Sequence, residues 1–316
     1  PSAIARAAIF PYDTKIVWQS PIGRDHPLSG RIWRVDSQGF VNEHELLDHL
    51  VRVPLVVAGE SHINPDHHQL QMRILGAMFG NGRRISLGME IFDSDDQAAL
   101  DSLAGHAEPD LNALTARFGR TRRHRTIWEQ YQPLIRFATG SGLPLVAMDI
   151  SRREATAVKR HGTDALSTDL IARFALDQPL PAIQQARLEQ DLLRAHCGML
   201  FSQNLSALTL TQRIRDAAMA NRLEAADQGY GTLLLAGYGH ARGDRAVPYL
   251  LRARRQRGEL VSILFASVKK ELTEPIDYRT WFGGGRIPFD YVWFTPRVDD
   301  EDPCDRLRRI YGKDKR

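Results

Sequence analysis

An apolar run followed at once by a tight polar turn occupies residues 54–65, where the chain reads PLVVAGESHINP. Four similar apolar runs follow along the chain: ISLGM at residues 85–89, PLVAM at 144–148, TLLLA at 232–236 and LVSILF at 260–265. Each run is continuous rather than alternating, which is typical of parallel strands that are covered on both faces. The five runs therefore predict a parallel sheet that is buried inside the protein.

Helical patterns lie between most of these strands. Asn64 is a predicted N-cap with Pro65 in the first helical turn, and Ser94 with Gln97 is a predicted capping box. Helices are predicted at residues 43–52, 65–79, 94–105 and 126–139, and at 182–227 with a break near residues 202–209. The alternation predicts an α/β fold: a mostly parallel central sheet flanked by helices, with a helical insert at about residues 155–228 between the third and fourth core strands.

The end of the chain has a different composition. Residues 281–316 contain a triple glycine, five aromatic residues between Phe282 and Phe294, and an acidic turn at residues 299–302. So many aromatic side chains are costly to leave in water, so this tail is expected to pack back on the sheet. The prediction is one ligand-binding α/β domain over residues 1–316, with the insert and the tail as parts of it.

Composition excludes several classes of protein. The 316 residues are 43% hydrophobic and 25% charged, which is typical of a globular chain and not of a disordered or fibrous one. The formal net charge of +4 is far from that of a nucleic-acid binder with a dense basic face. Apolar runs stay well below the roughly 20 residues that cross a bilayer. The two cysteines, Cys197 and Cys304, form one bridge in an oxidising compartment or remain two inert thiols.

Polar residues follow four of the predicted strands. They are Gly59-Glu60-Ser61-His62 after the first, Glu90 after the second, Asp149 after the third and Gly237-Tyr238-Gly239-His240 after the fourth. Ligands of open α/β sheets bind outside the carboxyl ends of the strands. Two of the four segments repeat one Gly-x-x-His pattern, in which glycine lets the backbone approach a ligand closely. We therefore expect these segments to meet in one cleft.

Three interpretations of this set remain open. Glu60, His62, Glu90 and His240 are suitable ligands for a divalent metal ion, whose bound water becomes a nucleophile near neutral pH. Without a metal, Glu90 and His62 are suitable for general acid and base catalysis. Alternatively, the histidines pair with the carboxylates and only stabilise the strand ends.

Other polar residues lie close to this set in sequence. His67 is expected to be exposed, and His68 to face the cleft. Gln212, Asp216 and Met219 share one helical face with Arg215 beside it, which indicates either a satisfied core pair or a wall of the site.

Several long segments carry a resemblance to a known family. They include GESHINPDHHQ at residues 59–69, LGMEIFDSDDQAALD at 87–101, LPLVAMDISR at 143–152, QRIRDAAMA at 212–220, AGYGHARGD at 236–244 and FDYVWFTP at 289–296. In their order and spacing these segments resemble the ChaN-like haem-binding uptake family, part of the Tiki/TraB/erythromycin-esterase superfamily. The resemblance covers most of the chain.

The resemblance implies a haem-binding protein of bacterial iron uptake, for which no catalytic turnover is needed. It implies a cell-envelope location, in the periplasm or as an outer-membrane lipoprotein, with the signal sequence and lipid anchor outside the printed chain. It also implies a homodimer around a cofacial haem pair and a haem-uptake receptor or transporter as a partner. The wider superfamily implies an alternative, a metal-dependent peptidase or esterase that uses Glu60, His62, Glu90 and His240.

The family's iron ligand is a tyrosine, which suits capture of ferric haem because phenolate is a hard donor. The candidate cofactor-binding residues are Tyr238, His240, His62, His68 and Tyr131. Tyr238 stands inside the second Gly-x-x-His pattern, where other members often carry a small residue. Tyr131 is equally a core aromatic residue, and arginines are candidate partners of the haem propionates.

Overall fold

The computed structural model of this chain describes residues 15–106, 108–119, 121–198, 202–255, 258–302, 304, 305 and 308. The first 14 residues and the last eight of the predicted domain lie outside the described part. In the residues described, no helix is long and apolar enough to span a membrane.

The centre of the fold is one eight-stranded, mostly parallel sheet. Its strands are β1 (Ile32–Arg34), β2 (Gly39–Val41), β3 (Leu55–Glu60), β4 (Ser86–Asp93), β5 (Leu145–Asp149), β6 (Thr232–Gly237), β7 (Leu260–Ser267) and β8 (Tyr291–Thr295). Their order in the sheet is β2-β1-β8-β7-β3-β6-β4-β5; the pairs β2–β1 and β1–β8 are antiparallel and the other five pairs are parallel. The five predicted strands are β3 to β7, so the predicted α/β class is confirmed.

Ten α-helices flank this sheet within the described residues. They are α1 (Glu43–Leu50), α2 (Pro65–Gly80), α3 (Gln97–Ser102), α4 (Asn112–Phe118), α5 (Arg122–Gly140), α6 (Arg152–His161), α7 (Thr168–Phe174), α8 (Ala182–Ala195), α9 (Ser202–Ala226) and α10 (Val247–Arg252). Short 3₁₀ helices occupy Ser94–Asp96, Gly162–Ala165 and Pro275–Phe282.

Two cores lie on opposite faces of the sheet. Alternate residues of β3 face opposite sides, so that Val56 and Ala58 pack in one core and Leu55 and Val57 in the other. The first core also contains apolar residues of α1, α2 and α5, and the second contains those of α9 and α10. Because both faces are covered, every residue of β3 is buried, which explains its continuous apolar sequence.

The aromatic tail packs back on the sheet as expected, and it does so as a strand. β8 lies between β7 and β1, and Trp293 and Phe294 are fully buried. Burying one side chain of this size contributes roughly 2–3 kcal/mol, so the tail is an integral part of the core. The Cys197–Cys304 disulfide ties the end of this tail to the turn after α8.

Two helix boundaries differ from the predictions. The break expected near residues 202–209 is wrong, because α9 is continuous from Ser202; the chain turns instead at Cys197 and Gly198, which both have positive φ. Residues 199–201 lie outside the described part. The capping box predicted at Ser94 and Gln97 is formed one residue earlier, by Asp93 and Asp96.

Candidate functional site

The strand ends meet as the sequence predicts. Glu60 ends β3, Glu90 lies in β4, Asp149 ends β5 and Gly237 ends β6, and these four strands are neighbours in the sheet. The β4–β5 pairing is irregular between Met89 and Asp93, where Glu90 lies. A Cβ atom on Gly237 would lie 3.1 Å from His62 Nε2 and 3.4 Å from Glu90 Oε2. A side chain at position 237 would therefore have to displace His62 by a few tenths of an ångström.

Glu60 is the centre of the first half of this site. It is 1% exposed, and its Oε1 atom accepts hydrogen bonds from His62 Nδ1 at 2.8 Å and from the Tyr131 hydroxyl. Gln71 Nε2 donates to the other carboxylate oxygen, Oε2, and His68 Nδ1 lies 3.4 Å from it. Four side chains from three segments thus enclose one carboxylate.

These contacts decide the charge of Glu60 and His62. Burial by itself would raise the pKa of Glu60, but the imidazoles of His68 and His62 and the hydroxyl of Tyr131 lower it to about 2. Burial would lower the pKa of His62, but the Glu60 hydrogen bond and the charges of Glu60 and Glu90 raise it to about 9. Glu60 is therefore an anion and His62 a cation at neutral pH.

Glu90 is the centre of the second half. Its Oε1 atom accepts a hydrogen bond from Arg215 Nη2 at 2.7 Å and lies 3.2 Å from His240 Nε2. Its Oε2 atom accepts from the backbone N–H of Gly237 at 2.6 Å. Burial would raise the pKa of Glu90, but the charges of His240, His62 and Arg215 hold it well below its usual range.

His240 lies between two carboxylates. It is 4% exposed, and its Nδ1 atom is 2.6 Å from Asp216 Oδ1, while Gln212 Nε2 lies 3.1 Å from the same nitrogen. Burial would lower the pKa of His240, but Glu90 and Asp216 raise it to about 10. The polar face of α9 predicted around Asp216 is therefore a wall of this site. We name the linked set of Glu60, His62, Tyr131, Glu90, Arg215, Asp216 and His240 the strand-edge network.

The structure does not support the predicted metal centre. In the described part of the chain, no group of three or more His, Cys, Asp or Glu side chains is arranged to hold a metal ion. The two histidines contact carboxylates instead: His62 Nδ1 lies 2.8 Å from Glu60 Oε1 and His240 Nδ1 lies 2.6 Å from Asp216 Oδ1. The catalytic roles predicted for Glu60, His62, Glu90 and His240 stay predictions.

The candidate haem ligands are placed very differently from one another. Tyr131, His68 and His240 are 2%, 4% and 4% exposed, and each is held by internal hydrogen bonds. The His62 side chain is 43% exposed and Tyr238 is 46% exposed. Among these five candidates, Tyr238 and His62 thus have the exposed side chains.

One histidine is placed against expectation. His67 was expected to be exposed, but it is 1% exposed. Its Nδ1 atom accepts from the Ser61 N–H at 2.9 Å and its Nε2 atom lies 3.0 Å from Thr295 Oγ1. Burial lowers the pKa of His67 to about 3, so the neutral ring fixes the turn that carries His62. The tail strand β8 covers it, and that contact is not visible from the local sequence.

Sequence reasoning also missed residues of the site. Gln71 was not singled out, although its position one turn after His68 on α2 was a usable signal. Arg215 was noted only as a neighbour of the polar face, yet it also binds Asp149 with Nε at 2.9 Å and Nη2 at 2.6 Å.

The fold and the site together define an α/β protein with a cluster of charged and polar side chains at the carboxyl ends of its parallel strands. The chain belongs to the haem-binding uptake family, Tiki superfamily, ChaN, whose family model matches residues 46–251. No curated protein sequence compared with the chain matches it.

One solved structure shows the same architecture. Cofacial heme binding is described for ChaN of Campylobacter jejuni, to which this chain is similar with a TM-score of 0.62 and 18% sequence identity, over 83% of this chain and 95% of that one. At this identity the likeness establishes the fold alone. An erythromycin esterase mutant, EreC, in its open conformation is more distant, with a TM-score of 0.43 and 16% identity over 94% of this chain and 88% of that one.

Proposed function

We propose that this protein binds haem at the strand-edge face, with the Tyr238 hydroxyl as the ligand to iron. The observation that carries this proposal is the match of residues 46–251 to the haem-binding uptake family. The position of Tyr238 supports it, because this residue directly follows β6 at the carboxyl edge of the sheet and is 46% exposed. Ferric haem supplies an iron centre for which phenolate is a suitable hard donor.

The other candidate ligands fit less well. His62 is accessible, but its pKa of about 9 means that a proton competes with iron for the ring nitrogen at neutral pH. Tyr131 is 2% exposed and its hydroxyl donates to Glu60, so its oxygen is not open to haem. His68 and His240 are enclosed by hydrogen-bond partners.

In this proposal the strand-edge network positions Tyr238 and does not itself bind iron. The Tyr238 N–H donates to the Glu60 carbonyl at 2.9 Å, and the preceding Gly237 N–H donates to Glu90 at 2.6 Å. The His240 N–H donates back to the Gly237 carbonyl at 2.9 Å. These bonds hold the tight turn that presents the phenol.

We propose further that the protein works in the bacterial cell envelope. Haem uptake takes place outside the cytoplasm, and the Cys197–Cys304 disulfide is typical of an oxidising compartment. A haem-uptake receptor or transporter is the expected partner. A homodimer is also expected, with the haems of two copies facing each other, as the words cofacial heme binding describe for the Campylobacter protein.

A hemin titration followed by absorbance tests the proposal. Wild-type protein is expected to give a saturable Soret band, and Tyr238→Phe to weaken binding at least about tenfold and remove the phenolate-to-iron charge-transfer band. Tyr230→Phe is the matched control, since Tyr230 is 54% exposed but precedes β6 at the opposite edge of the sheet. Equal effects of the two variants, or no saturable band in the wild type, would contradict the proposal.

The oligomeric state is tested separately. Light scattering after size exclusion is expected to show a dimer when hemin is bound, and Tyr238→Phe to shift the population toward the monomer. A hemin complex of monomeric mass would contradict the cofacial arrangement and leave haem binding itself intact.

A further inference from the structure

Two buried arginines lie next to Tyr238, outside the strand-edge network. Arg242 is 2% exposed and Arg245 is 8% exposed, and both lie between β6 and α10. They share one carboxylate from the helical insert: Asp191 Oδ2 of α8 accepts from Arg242 Nη1 at 2.9 Å and from Arg245 Nη2 at 2.7 Å. We name Arg242 and Arg245 the arginine pair. Two buried guanidinium groups side by side are costly unless anions compensate them, so Asp191 is essential to this arrangement.

One hydrogen-bond donor of the arginine pair has no acceptor among the residues described. Arg242 is satisfied, because its Nε and Nη2 atoms donate to the two carboxylate oxygens of Asp244 at 2.8 and 2.7 Å. The Nη1 atom of Arg245, in contrast, is buried and has no hydrogen-bond partner among the residues described. Burial and the charge of Arg242 lower the pKa of Arg245, against the opposing effects of Asp191 and Asp244. A second carboxylate oxygen at Arg245 would satisfy this donor.

The surrounding charge also favours an anion. Arg187 of α8 lies 3.9 Å from Asp244, and Arg194 of α8 lies 3.9 Å from Asp191. With the arginine pair, this makes four guanidinium groups around two carboxylates, an excess of two positive charges. Arg242 and Arg245 follow Tyr238 in the loop after β6; burial and the charge of Asp191 raise the pKa of Tyr238, and the charges of Arg242 and Arg245 lower it.

We propose that the arginine pair is a carboxylate-binding subsite, that Asp191 occupies it in the free protein, and that a propionate of haem replaces Asp191 there. The inference rests on the proposed haem binding, and it adds how the ligand is anchored and how α8 responds. Replacing one carboxylate by another keeps both guanidinium groups paired throughout, so no buried charge is left uncompensated. The Asp191 side chain is 29% exposed, so its release returns it to solvent and frees α8 from the loop.

Hemin and hemin dimethyl ester distinguish haem binding as such from propionate binding at the arginine pair. The two compounds share the iron and the macrocycle, but esterification removes the propionate charges. Each is titrated into wild-type protein, Asp191→Asn and Glu43→Gln in the same detergent buffer. Glu43→Gln is the matched control: Glu43 of α1 pairs with Arg73, which is also 8% exposed, and lies on the other face of the sheet.

The wild type is expected to bind hemin at least about tenfold more tightly than the ester, because a charge-assisted hydrogen bond commonly contributes enough free energy for a tenfold change in affinity. Asp191→Asn removes the competing carboxylate, so its hemin affinity is expected to rise threefold or more while its ester affinity stays unchanged. Glu43→Gln is expected to bind both porphyrins as the wild type does.

The possible failures are separable. Equal affinity of the wild type for hemin and its ester overturns the subsite and leaves haem binding standing. No binding of either overturns haem binding, and this inference with it. Unchanged hemin affinity in Asp191→Asn, or the same gain in Glu43→Gln, overturns the replacement of Asp191. If Asp191→Asn does not fold, Arg245→Lys takes its place, because lysine keeps the charge but lacks the branched donor; full retention of the hemin preference then overturns the subsite.

Discussion

Replacing Arg215 by methionine tests whether the strand-edge network is held together by charge. Arg215 joins two strands of the sheet, because its guanidinium donates to Glu90 at 2.7 Å and to Asp149 at 2.9 and 2.6 Å. Methionine keeps the aliphatic stem and removes the guanidinium. The carboxylates of Glu90 and Asp149, 9% and 18% exposed, then lie side by side without their shared cation.

The expected loss of stability follows from this geometry. Removing one partner of a buried ion pair costs about 3–5 kcal/mol, because the remaining charge is left uncompensated. The Arg215 side chain is 26% exposed, and His240 still neutralises part of Glu90, so the lower end applies. We expect Arg215→Met to lower the free energy of unfolding by about 3 kcal/mol. In a chain of this length that corresponds to a fall in Tm of about 5 °C.

The assay is urea unfolding followed by circular dichroism at 25 °C, with two companion variants. Arg34→Met removes an ion pair with Asp36 whose side chains are 44% and 54% exposed, so its expected cost is about 0–1 kcal/mol. Asp149→Asn in the Arg215→Met background removes one of the two uncompensated negative charges. It is expected to restore at least about 1 kcal/mol of the unfolding free energy.

Two results would refute this reasoning. One is a cost for Arg215→Met that is no larger than that of Arg34→Met. The other is a full loss that Asp149→Asn does not relieve, because the loss would then come from packing and not from charge.

Three further predictions concern stability. The pKa of His240 is raised to about 10, so the contribution of its protonated ring to stability is complete below about pH 6.5 and is lost as pH rises through 10. The unfolding free energy of the wild type should therefore fall between pH 7 and 10 more steeply than that of His240→Gln, by up to about 1.4 kcal/mol per pH unit. Reducing the Cys197–Cys304 disulfide should cost about 2–5 kcal/mol in urea unfolding, and a variant with serine at both positions should not respond to reductant. Gly59→Ala would place a Cβ 2.7 Å from a side-chain carbon of the loop after β6 and should lower the unfolding free energy by about 1–3 kcal/mol. The Cβ of Gly239→Ala meets nothing within 4 Å, so this variant should change the unfolding free energy by less than about 0.5 kcal/mol. Similar values for the two glycine variants would contradict the packing argument.

The sheet was largely predictable, and the reason lies in burial. β3 to β7 are covered on both faces, so their residues are continuously apolar and visible in the sequence. β1 and β2 have three residues each and leave no such run. β8 was recognised only as an aromatic tail that returns to the core, because its partner strand β7 is set by topology and not by its own pattern.

The candidate site was predictable in part. Glu60, Glu90 and the two Gly-x-x-His segments were found because each directly follows or ends a recognisable strand. His67 was misplaced because the strand that buries it comes more than 200 residues later. The arginine pair and Asp191 were not found, since Asp191 lies about 50 residues before its partners and no local pattern links them.

The sequence by itself determined the α/β class, the edge of the sheet at which the polar side chains gather and the residue types available there. These properties follow from burial periodicity and from the position of polar residues relative to apolar runs, which are local. Only the tertiary structure decided which histidines pair with which carboxylates, which candidate side chains are exposed and, among the described residues, which buried arginine nitrogen has no hydrogen-bond partner. Those properties depend on charges and on solvent exclusion between segments far apart in the chain, and such contacts exist only once the strands, the insert and the tail have packed together.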